Sequence, residues 1–296
     1  MQKADRTALY ALPLVILVGL GLAWAGSRGG VTVAGLPLFA FSVVLAFAIQ
    51  WLAFIPAYLL QNERFFDLTG SLTYITVTLL AVLLSPAADA RSLLLLVLVL
   101  IWAVRLGTFL SRRTHKAGKD ARFDEIKPSF VRFLLTWTLQ GLWVSFTLAA
   151  ALAAITTASR REPGLLFFIG VLVWLGGFAI EAVADAQKNR FRSDPDNAGE
   201  FIRTGLWAWS RHPNYFGEIV LWTGVAIIAL PVLQGWQWVT IISPIFVTLL
   251  LTRISGVPLL EKRADEKWGG REDYEAYKTR TPVLIPRPPH RTATPV

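Results

Sequence analysis

Residues 91–110 read RSLLLLVLVLIWAVRLGTFL, an apolar run in which Arg105 is the one charge after the opening arginine. Roughly 20 helical residues cross a bilayer core of about 30 Å, so this run predicts a membrane-spanning helix. Comparable windows recur along the chain, at residues 8–26, 36–60, 68–86, 91–110, 133–157, 164–187, 215–231 and 237–254. The sequence therefore predicts an all-α polytopic transmembrane helical bundle of seven or eight spans, and we prefer eight.

The composition agrees with a chain that lies in lipid. Of 296 residues, 54% are hydrophobic and 17% are charged, and the mean hydropathy is +0.50. Soluble domains carry about 25% charged residues, so the apolar surplus needs a lipid environment. The chain has no Cys, which excludes disulfide scaffolds and thiolate metal sites, and we expect no bound metal. The net charge of +9 fits basic cytoplasmic loops, so we expect no nucleic-acid partner.

The basic residues also predict the orientation. With the N-terminus inside and eight spans, most of the 29 Lys and Arg residues fall on the cytoplasmic side. The opposite side receives only Arg28, Arg91, Arg160 and Arg161. Because basic residues accumulate in cytoplasmic loops, we expect both termini in the cytoplasm.

Three hydrophilic segments, 111–130, 188–214 and 255–296, are expected on that same side. We predict a single integral membrane domain over 1–296, in which 255–296 is a cytoplasmic C-terminal segment. It contains an amphipathic stretch, 259–277, followed by a tail with Pro282, Pro286, Pro288 and Pro289. We expect it to lie against the membrane surface or to cap the bundle.

Ionisable residues in or beside the spans are candidates for function, because burying charge in lipid is costly. Asp67 opens the third span, Arg105 interrupts the fourth and Glu218 lies near the start of the seventh. At the end of the sixth span, one helical face carries Glu181, Asp185, Lys188, Asn189 and Arg192. Ordinary salt bridges at a helix end remain an alternative interpretation of that face.

Residues 205–218, GLWAWSRHPNYFGE, form the most unusual segment. It could be an aromatic belt at the membrane interface, with Pro213 starting the seventh helix. An aromatic belt does not require His212, Asn214 and Glu218 beside one another, however. With the Tyr215 phenol, these groups suit the hydrogen-bonding edges of a nucleotide or its nicotinamide.

No soluble nucleotide motif, GxGxxG or GxxxxGK[ST], occurs in the chain. Phosphates would instead meet arginines from the hydrophilic segments. The candidates are Arg112, Arg113, Arg192, Arg211 and Arg253. Each of them could equally be a positive-inside anchor.

The segment SRHPNYFGE and its following span, with Arg253 and the tail EKRADEKWGGREDYEAYKTRTPVLIP, resemble the C-terminal half of the steroid 5α-reductase family. The likeness is greatest to the bacterial membrane-protein branch. NERFFDLTGSLTYI, IWAVRLGTFLSRR and the loop with Asp120 and Arg122 resemble the N-terminal half. The resemblance covers roughly 60–288 and is strongest over 200–225.

This resemblance implies a membrane enzyme that transfers hydride from NADPH to the β-carbon of a lipophilic enone, commonly a 3-oxo-Δ4 steroid. The cofactor would lie in a cytoplasm-facing chamber of a bacterial inner-membrane protein, and the substrate would enter from the bilayer, among membrane lipid. We predict the following cofactor-binding residues: Arg105, Arg112, Arg113, Glu181, Asp185, Asn189, Arg192, Arg211, His212, Asn214, Tyr215, Glu218 and Arg253.

The resemblance also implies a group that polarises the substrate carbonyl. Asp67 lies about where the family has the acidic residue that bonds the ketone, and it could donate if Phe65, Phe66 and Leu68 keep it protonated. We predict a catalytic set of Asp67, Tyr74 and Trp102. Asp67 could alternatively be only the N-cap of the third span.

Several positions depart from the steroid-reducing members. They have Asn at position 181 and Tyr at 102, where this chain has Glu181 and Trp102. They also have His and Tyr in the last span, where this chain has Val257 and Glu261. Tyr74 could supply the phenol that position 102 lacks.

Two rival functions remain open. RHPxYxG before a span is also similar to isoprenylcysteine carboxyl methyltransferases and membrane phospholipid methyltransferases, which use S-adenosylmethionine. The NYFGE extension and the basic residues favour the reductase, because a methyl donor has no phosphates. Intramembrane sterol C14 reductases share RHPNY as well. A non-enzymatic membrane protein is the other alternative.

Overall fold

The structure, a computed structural model, describes residues 2–117 and 123–289, and within 111–117 it describes the backbone alone. The predicted cofactor residues Arg112 and Arg113 lie outside the described side chains. Asp120 and Arg122 lie outside the described residues. The positions below all belong to the described part.

The described residues form ten α-helices, one small hairpin and several short 3-10 helices. The α-helices and strands are α1 (Lys3–Ser27), β1 (Thr32–Val33), β2 (Leu36–Pro37), α2 (Leu38–Leu59), α3 (Phe66–Leu84), α4 (Ala90–Ala117), α5 (Phe130–Thr156), α6 (Leu165–Ser193), α7 (Pro213–Ala229), α8 (Ile242–Leu249), α9 (Val257–Trp268) and α10 (Glu272–Arg280). The strands pair antiparallel, and a π-helical turn, Leu250–Ile254, follows α8.

Eight helical segments in the described residues are long and apolar enough to cross a membrane, which confirms the predicted polytopic helical bundle and the preference for eight spans. The chain is therefore an integral membrane protein. Two helices extend further than their apolar windows. Helix α4 continues to Ala117 and α6 to Ser193, so the predicted hydrophilic segments 111–130 and 188–214 begin inside helices.

The amphipathic stretch 259–277 forms two helices. It is divided into α9 and α10 at Gly269 and Gly270, and Gly270 adopts a φ of 82°. That left-handed conformation favours glycine and ends a helix. Beyond α10, residues 281–289 form neither helix nor strand, as the closely spaced prolines favour.

The chain divides into two compact units, which are described separately. The first unit comprises Met1–Phe168 with Ala226–Ser243, and the second comprises Ile169–Val225 with Pro244–Val296. In the first unit, α5 is central, because α1, α2, α3 and α4 all pack against it. Its alanine-rich run 149–154 is fully buried, since small side chains let neighbouring helices approach closely.

In the second unit, α6 and α7 meet at glycines. A Cβ atom on Gly217 would lie 2.6 Å from both the Glu181 nitrogen and the Gly177 oxygen, and one on Gly224 would lie 2.6 Å from the Trp174 nitrogen. Backbone atoms cannot move aside as a flexible side chain can, so these positions require glycine. The close approach brings Glu181 and the following turns of α6 beside the start of α7.

Candidate functional site

The segment SRHPNYFGE starts α7 in the second unit. Helix α7 begins at Pro213, as predicted, because proline suits the first helical turn. The Asn214 side-chain nitrogen donates a hydrogen bond of 3.1 Å to an oxygen of Asp185 on α6. Glu181, one turn earlier on α6, is only 3% exposed. The structure thus brings together the acidic face of α6 and the amide of the motif.

Glu261 of α9 holds the two basic residues that precede this helix. One carboxylate oxygen lies 2.5 Å from a guanidinium nitrogen of Arg211, and the other lies 2.7 Å from Nε2 of His212. The His212 ring stacks on Tyr215 with 5.7 Å between the ring centres. Burial lowers the pKa of His212 below its ordinary value, although the hydrogen bond to Glu261 acts in the opposite direction. We therefore assign a neutral ring that donates through Nε2.

A cleft of about 330 Å³ opens beside these residues in the second unit. Five of its lining residues are basic, and these are Lys188, Arg192, Arg211, Arg263 and Lys267. The two acidic lining residues, Glu200 and Glu261, are engaged by Arg271 and Arg211 respectively. The cleft therefore presents an excess of positive charge, which suits an anionic ligand.

Aromatic side chains form one wall of the cleft. The Phe201 ring contacts the rings of Trp268, Tyr274 and Tyr277, with centre distances of 5.8, 5.2 and 5.4 Å. The Tyr277 hydroxyl donates to the backbone oxygen of Trp207 at 2.8 Å. Phe201 and Tyr274 are buried, so Trp268 and Tyr277 are the partly exposed rings of this wall.

Trp207 connects this wall to α6. Its indole nitrogen donates to the backbone oxygen of Ala184 at 2.9 Å, and the Lys188 ammonium lies 4.2 Å from the centre of its ring. The positive charge of Lys188 is thus held over an aromatic face at the edge of the cleft.

Sequence reasoning missed part of this site. Arg263 and Lys267 were absent from the predicted set, and Lys188 was assigned only to the helical face. Glu261 was noted as a departure rather than as a partner of Arg211. The available signal was the helical spacing of α9, in which 260, 261, 263, 264, 267 and 268 all line the cleft.

The remaining predicted cofactor residues of this unit lie elsewhere. Asn189 is exposed on α6, and Arg253 is exposed in the π-helical turn; neither lines the cleft. Tyr215 and Glu218 are half-buried on α7. Their roles stay predictions.

The predicted catalytic residues belong to the first unit. Helix α3 begins at Phe66 with Phe65 at its cap position, so the interpretation of Asp67 as an N-cap is wrong and Asp67 lies in the first turn. The Tyr74 ring packs edge-on against Trp102, with 5.0 Å between their centres. Arg105 lies three residues beyond Trp102 on α4 and is half-buried.

The first unit also contains a buried amide that sequence reasoning missed. Gln50 lies within the span α2, is fully buried, and donates through Nε2 to the hydroxyl of Thr73 at 2.7 Å. Thr73 directly precedes Tyr74 on α3. A polar group costs free energy inside a membrane, as a charge does, so a buried amide within a span is a candidate for function as well.

Comparison with known proteins agrees with the resemblance found in the sequence. Residues 53–281 match the family described as "Protein of unknown function (DUF1295)". The chain is 28% identical over 121 residues to 3-oxo-5-alpha-steroid 4-dehydrogenase 1 of Rattus norvegicus, covering 40% of this chain and 41% of that protein. It is 36% identical over 69 residues to the Macaca fascicularis protein of the same name, covering 23% and 26%.

A third relative is matched over more of its length. An uncharacterized protein of Schizosaccharomyces pombe is 24% identical over 232 residues, which cover 68% of this chain and 64% of that protein. The chain thus spans less than two thirds of each of these relatives. No solved structure matches it significantly. The relatives indicate a membrane reductase-like family.

Proposed function

We propose that this chain, which belongs to the DUF1295 family, is an NADPH-dependent membrane reductase that saturates the double bond of a lipophilic enone such as a 3-oxo-Δ4 steroid. The observation that carries the proposal is the basic, aromatic-walled cleft of the second unit. Two residues of the motif SRHPNYFGE, Arg211 and His212, line it.

The charges of the cleft fit the phosphates of NADPH. Arginine forks bind phosphate by paired, charge-assisted hydrogen bonds, and Lys binds it as a point charge. Arg192 and Lys188 on α6 and Arg263 and Lys267 on α9 would supply these contacts from two sides. S-adenosylmethionine carries no phosphate, so an anion-binding cleft favours the dinucleotide over the methyl donor.

The volume of the cleft limits which part of the cofactor it would hold. Ligand pockets span about 300–1,000 Å³, and a cleft of about 330 Å³ lies at the lower end of that range. It suits the adenosine and phosphate portion, whose ring would lie against the partly exposed Trp268 and Tyr277.

The nicotinamide end would belong near the start of α7. The hydrogen bond from Asn214 to Asp185 fixes the direction of the amide, whose oxygen can accept from a carboxamide. Tyr215 and Glu218, on the same helix, are the further candidates. Bound NADPH would supply the hydride that goes to the β-carbon of the enone.

A proton donor for the carbonyl is a separate proposal, on residues of the first unit. Hydride addition places negative charge on the carbonyl oxygen, and a donor held in a dry place stabilises that charge best. The Tyr74 phenol and the Gln50 amide are both buried and are donors without a change of protonation. Asp67 could donate only when protonated. The α-carbon would then take a proton from water.

We also propose that the cofactor cleft faces the cytoplasm of a bacterial inner membrane and that the substrate enters from lipid. The basic residues around the cleft support this orientation, because such residues accumulate on the cytoplasmic side. A substrate soluble in the bilayer needs no aqueous entrance.

The first test is the thermal unfolding of the detergent-purified protein with NADPH, NADH, S-adenosylmethionine or no addition. A ligand bound only by the folded protein raises the unfolding temperature. We expect NADPH to give the largest rise. A rise with S-adenosylmethionine alone would overturn the proposal in favour of methyl transfer, and no rise with any ligand would favour a non-enzymatic membrane protein.

The second test follows the hydride. The protein in lipid nanodiscs is incubated with NADPH deuterated at the transferred position and with a 3-oxo-Δ4 steroid. We expect a product heavier by one deuterium at the β-carbon. NADPH binding without any reduced product would keep the cofactor assignment and reject this substrate class.

A further inference from the structure

The tail of the second unit, residues 281–289, is hydrogen-bonded to the segment that precedes α7. The Arg211 backbone nitrogen donates to the oxygen of Pro282 at 2.9 Å, and the Arg287 nitrogen donates to the oxygen of Trp209 at 2.9 Å. Between them, the buried Ser210 hydroxyl donates to the Leu284 oxygen at 2.8 Å. Residues 282–287 thus follow 209–211 closely.

This attachment places the tail at the end of a membrane span. Helix α7 begins at Pro213, two residues after Arg211, and its apolar span continues to Val232. Two residues extend the chain by at most about 7 Å. The tail therefore lies beside the N-terminal end of a helix that is long and apolar enough to cross the membrane.

The exposed face of this region combines apolar and basic side chains. Ile285 is 63% exposed, Trp209 42% and Val283 38%. Arg280 and Arg287 are also exposed, and within the described residues neither forms an ion pair. Membrane interfaces favour this combination, because Trp and aliphatic groups enter the headgroup layer while arginines bind lipid phosphates.

A second cleft supports a specific anion site at this place. It measures about 330 Å³ and is lined by Arg280, Arg287, Lys278 and Arg211 together with Thr279 and Thr281, and none of its lining residues is acidic. Lys278 is bound by Asp265 and Arg211 by Glu261. The net positive charge therefore comes from Arg280 and Arg287.

We propose that this surface, formed by Trp209, Val283, Ile285, Arg280 and Arg287, binds the headgroup of an anionic phospholipid in the leaflet that α7 enters at Pro213. The two arginines bind the phosphate, and the three apolar residues lie among the headgroups. A soluble phosphate compound would explain the arginines but not the exposed apolar side chains beside them. The proposal does not depend on the reductase function.

The absence of Cys from the chain allows a direct measurement of depth. Ile285→Cys carries a nitroxide label in nanodiscs of phosphatidylglycerol and phosphatidylcholine, and Glu272→Cys, at the first residue of α10, is the control. We expect the label at 285 to be relaxed more by oxygen and less by a water-soluble nickel complex than the label at 272. Equal accessibility of the two labels to the nickel complex would overturn the proposal.

The second measurement tests the charge. The binding of phosphatidylglycerol to the detergent-purified protein is compared with that to the double variant Arg280→Gln, Arg287→Gln. Each basic residue near an anionic surface strengthens binding to it. We therefore expect the loss of both arginines to weaken the binding of phosphatidylglycerol by about 10- to 30-fold. The variant Arg280→Lys, Arg287→Lys should retain most of the affinity, and NADPH binding should be unchanged.

Inorganic phosphate and phosphatidylcholine distinguish the remaining sources of the ligand. We expect neither to stabilise the protein as phosphatidylglycerol does. If inorganic phosphate stabilises the protein as much as phosphatidylglycerol does, the ligand of this site is a soluble anion and not a lipid. Equal binding of both lipids by the native protein and by the Gln variant would overturn the site.

Discussion

The two compact units differ in the charge and the burial of their polar side chains. In the first unit, Gln50 of α2 and Thr73 of α3 are uncharged and fully buried. In the second unit, the cleft is lined by charged residues with partial access to water. Uncharged donors in an apolar interior suit a neutral, lipophilic molecule, whereas a basic cleft suits a phosphate-bearing one. Substitutions in the two units should therefore affect different measured quantities.

The largest expected effect concerns the packing that shapes the second unit. Gly177→Ala places a Cβ against the backbone of Leu221 and Gly217, whereas Gly176→Ala, one residue earlier, meets open space. We expect Gly177→Ala to lower the free energy of unfolding by about 3 kcal/mol, because backbone cannot yield to overpacking. Gly176→Ala should be neutral or stabilising by up to about 1 kcal/mol. Unfolding by titration with denaturing detergent measures both, and equal stabilities would contradict the tight α6–α7 contact.

The next largest effect is a change in kcat without a change in the Kd for NADPH, caused by a substitution in the first unit. Tyr74→Phe removes the hydroxyl but keeps the ring that packs on Trp102. Loss of one donor to a developing oxyanion costs about 100-fold in turnover, so kcat should fall by that factor while the Kd for NADPH stays the same. Tyr58→Phe on α2 is the matched control and should leave both unchanged.

Asp67→Asn and Gln50→Leu extend this experiment within the first unit. A large loss of turnover in Asp67→Asn, with Tyr74→Phe unaffected, would return the carbonyl role to Asp67. A weakened affinity for NADPH in any of these variants would contradict the assignment of distinct tasks to the two units.

A smaller effect is expected at the cleft of the second unit. The double variant Arg263→Gln, Lys267→Gln removes two basic residues of α9, and we expect the Kd for NADPH to rise by about 10-fold, since partial exposure weakens each contact. Lys262→Gln is the control, because Lys262 is on the same helix, is highly exposed and does not line the cleft. An equal change in the control variant would mean that only the overall charge matters.

The smallest effect is a pH dependence of stability. Burial holds the pKa of His212 below its ordinary value of 6.5, although Glu261 opposes this shift, and Arg211 and Lys188 add to it. The unfolded chain then binds a proton before the folded protein does, so this contribution to stability is complete above pH 6.5 and declines as the pH falls below it. We expect the unfolding temperature to fall slightly from pH 7 to about pH 5.5, and His212→Gln to reduce that fall. An unchanged slope in the variant would contradict the shift.

The sequence predicts the spans well and their ends poorly, for a physical reason. Hydropathy records where side chains favour lipid, and it ends the sixth window at 187. Helix α6 continues to Ser193, because Lys188, Arg190 and Arg192 are good helix formers in water as well. Hydropathy therefore predicts the bounds of the apolar span but not the bounds of the helix that contains it.

Much of the candidate site could be found from one dense motif, but its partners could not. Asn214, Arg211 and His212 were singled out because they are adjacent in the sequence. Glu261, which binds two of them, lies about 50 residues later, and no local pattern indicates that pairing. Gln50 was missed because an amide inside an apolar run changes the hydropathy of its window very little.

The position of Glu261, Arg263 and Lys267 has a consequence for biosynthesis. Helices α6 and α7 leave the ribosome before α9, so a nascent chain that ends at 256 already contains SRHPNYFGE but lacks the carboxylate that holds Arg211 and the two cations of α9. Translation proceeds at about 5–20 residues per second, so α9 is synthesised within seconds of α6 and α7. During that interval Arg211 lacks the Glu261 carboxylate that binds it in the folded protein.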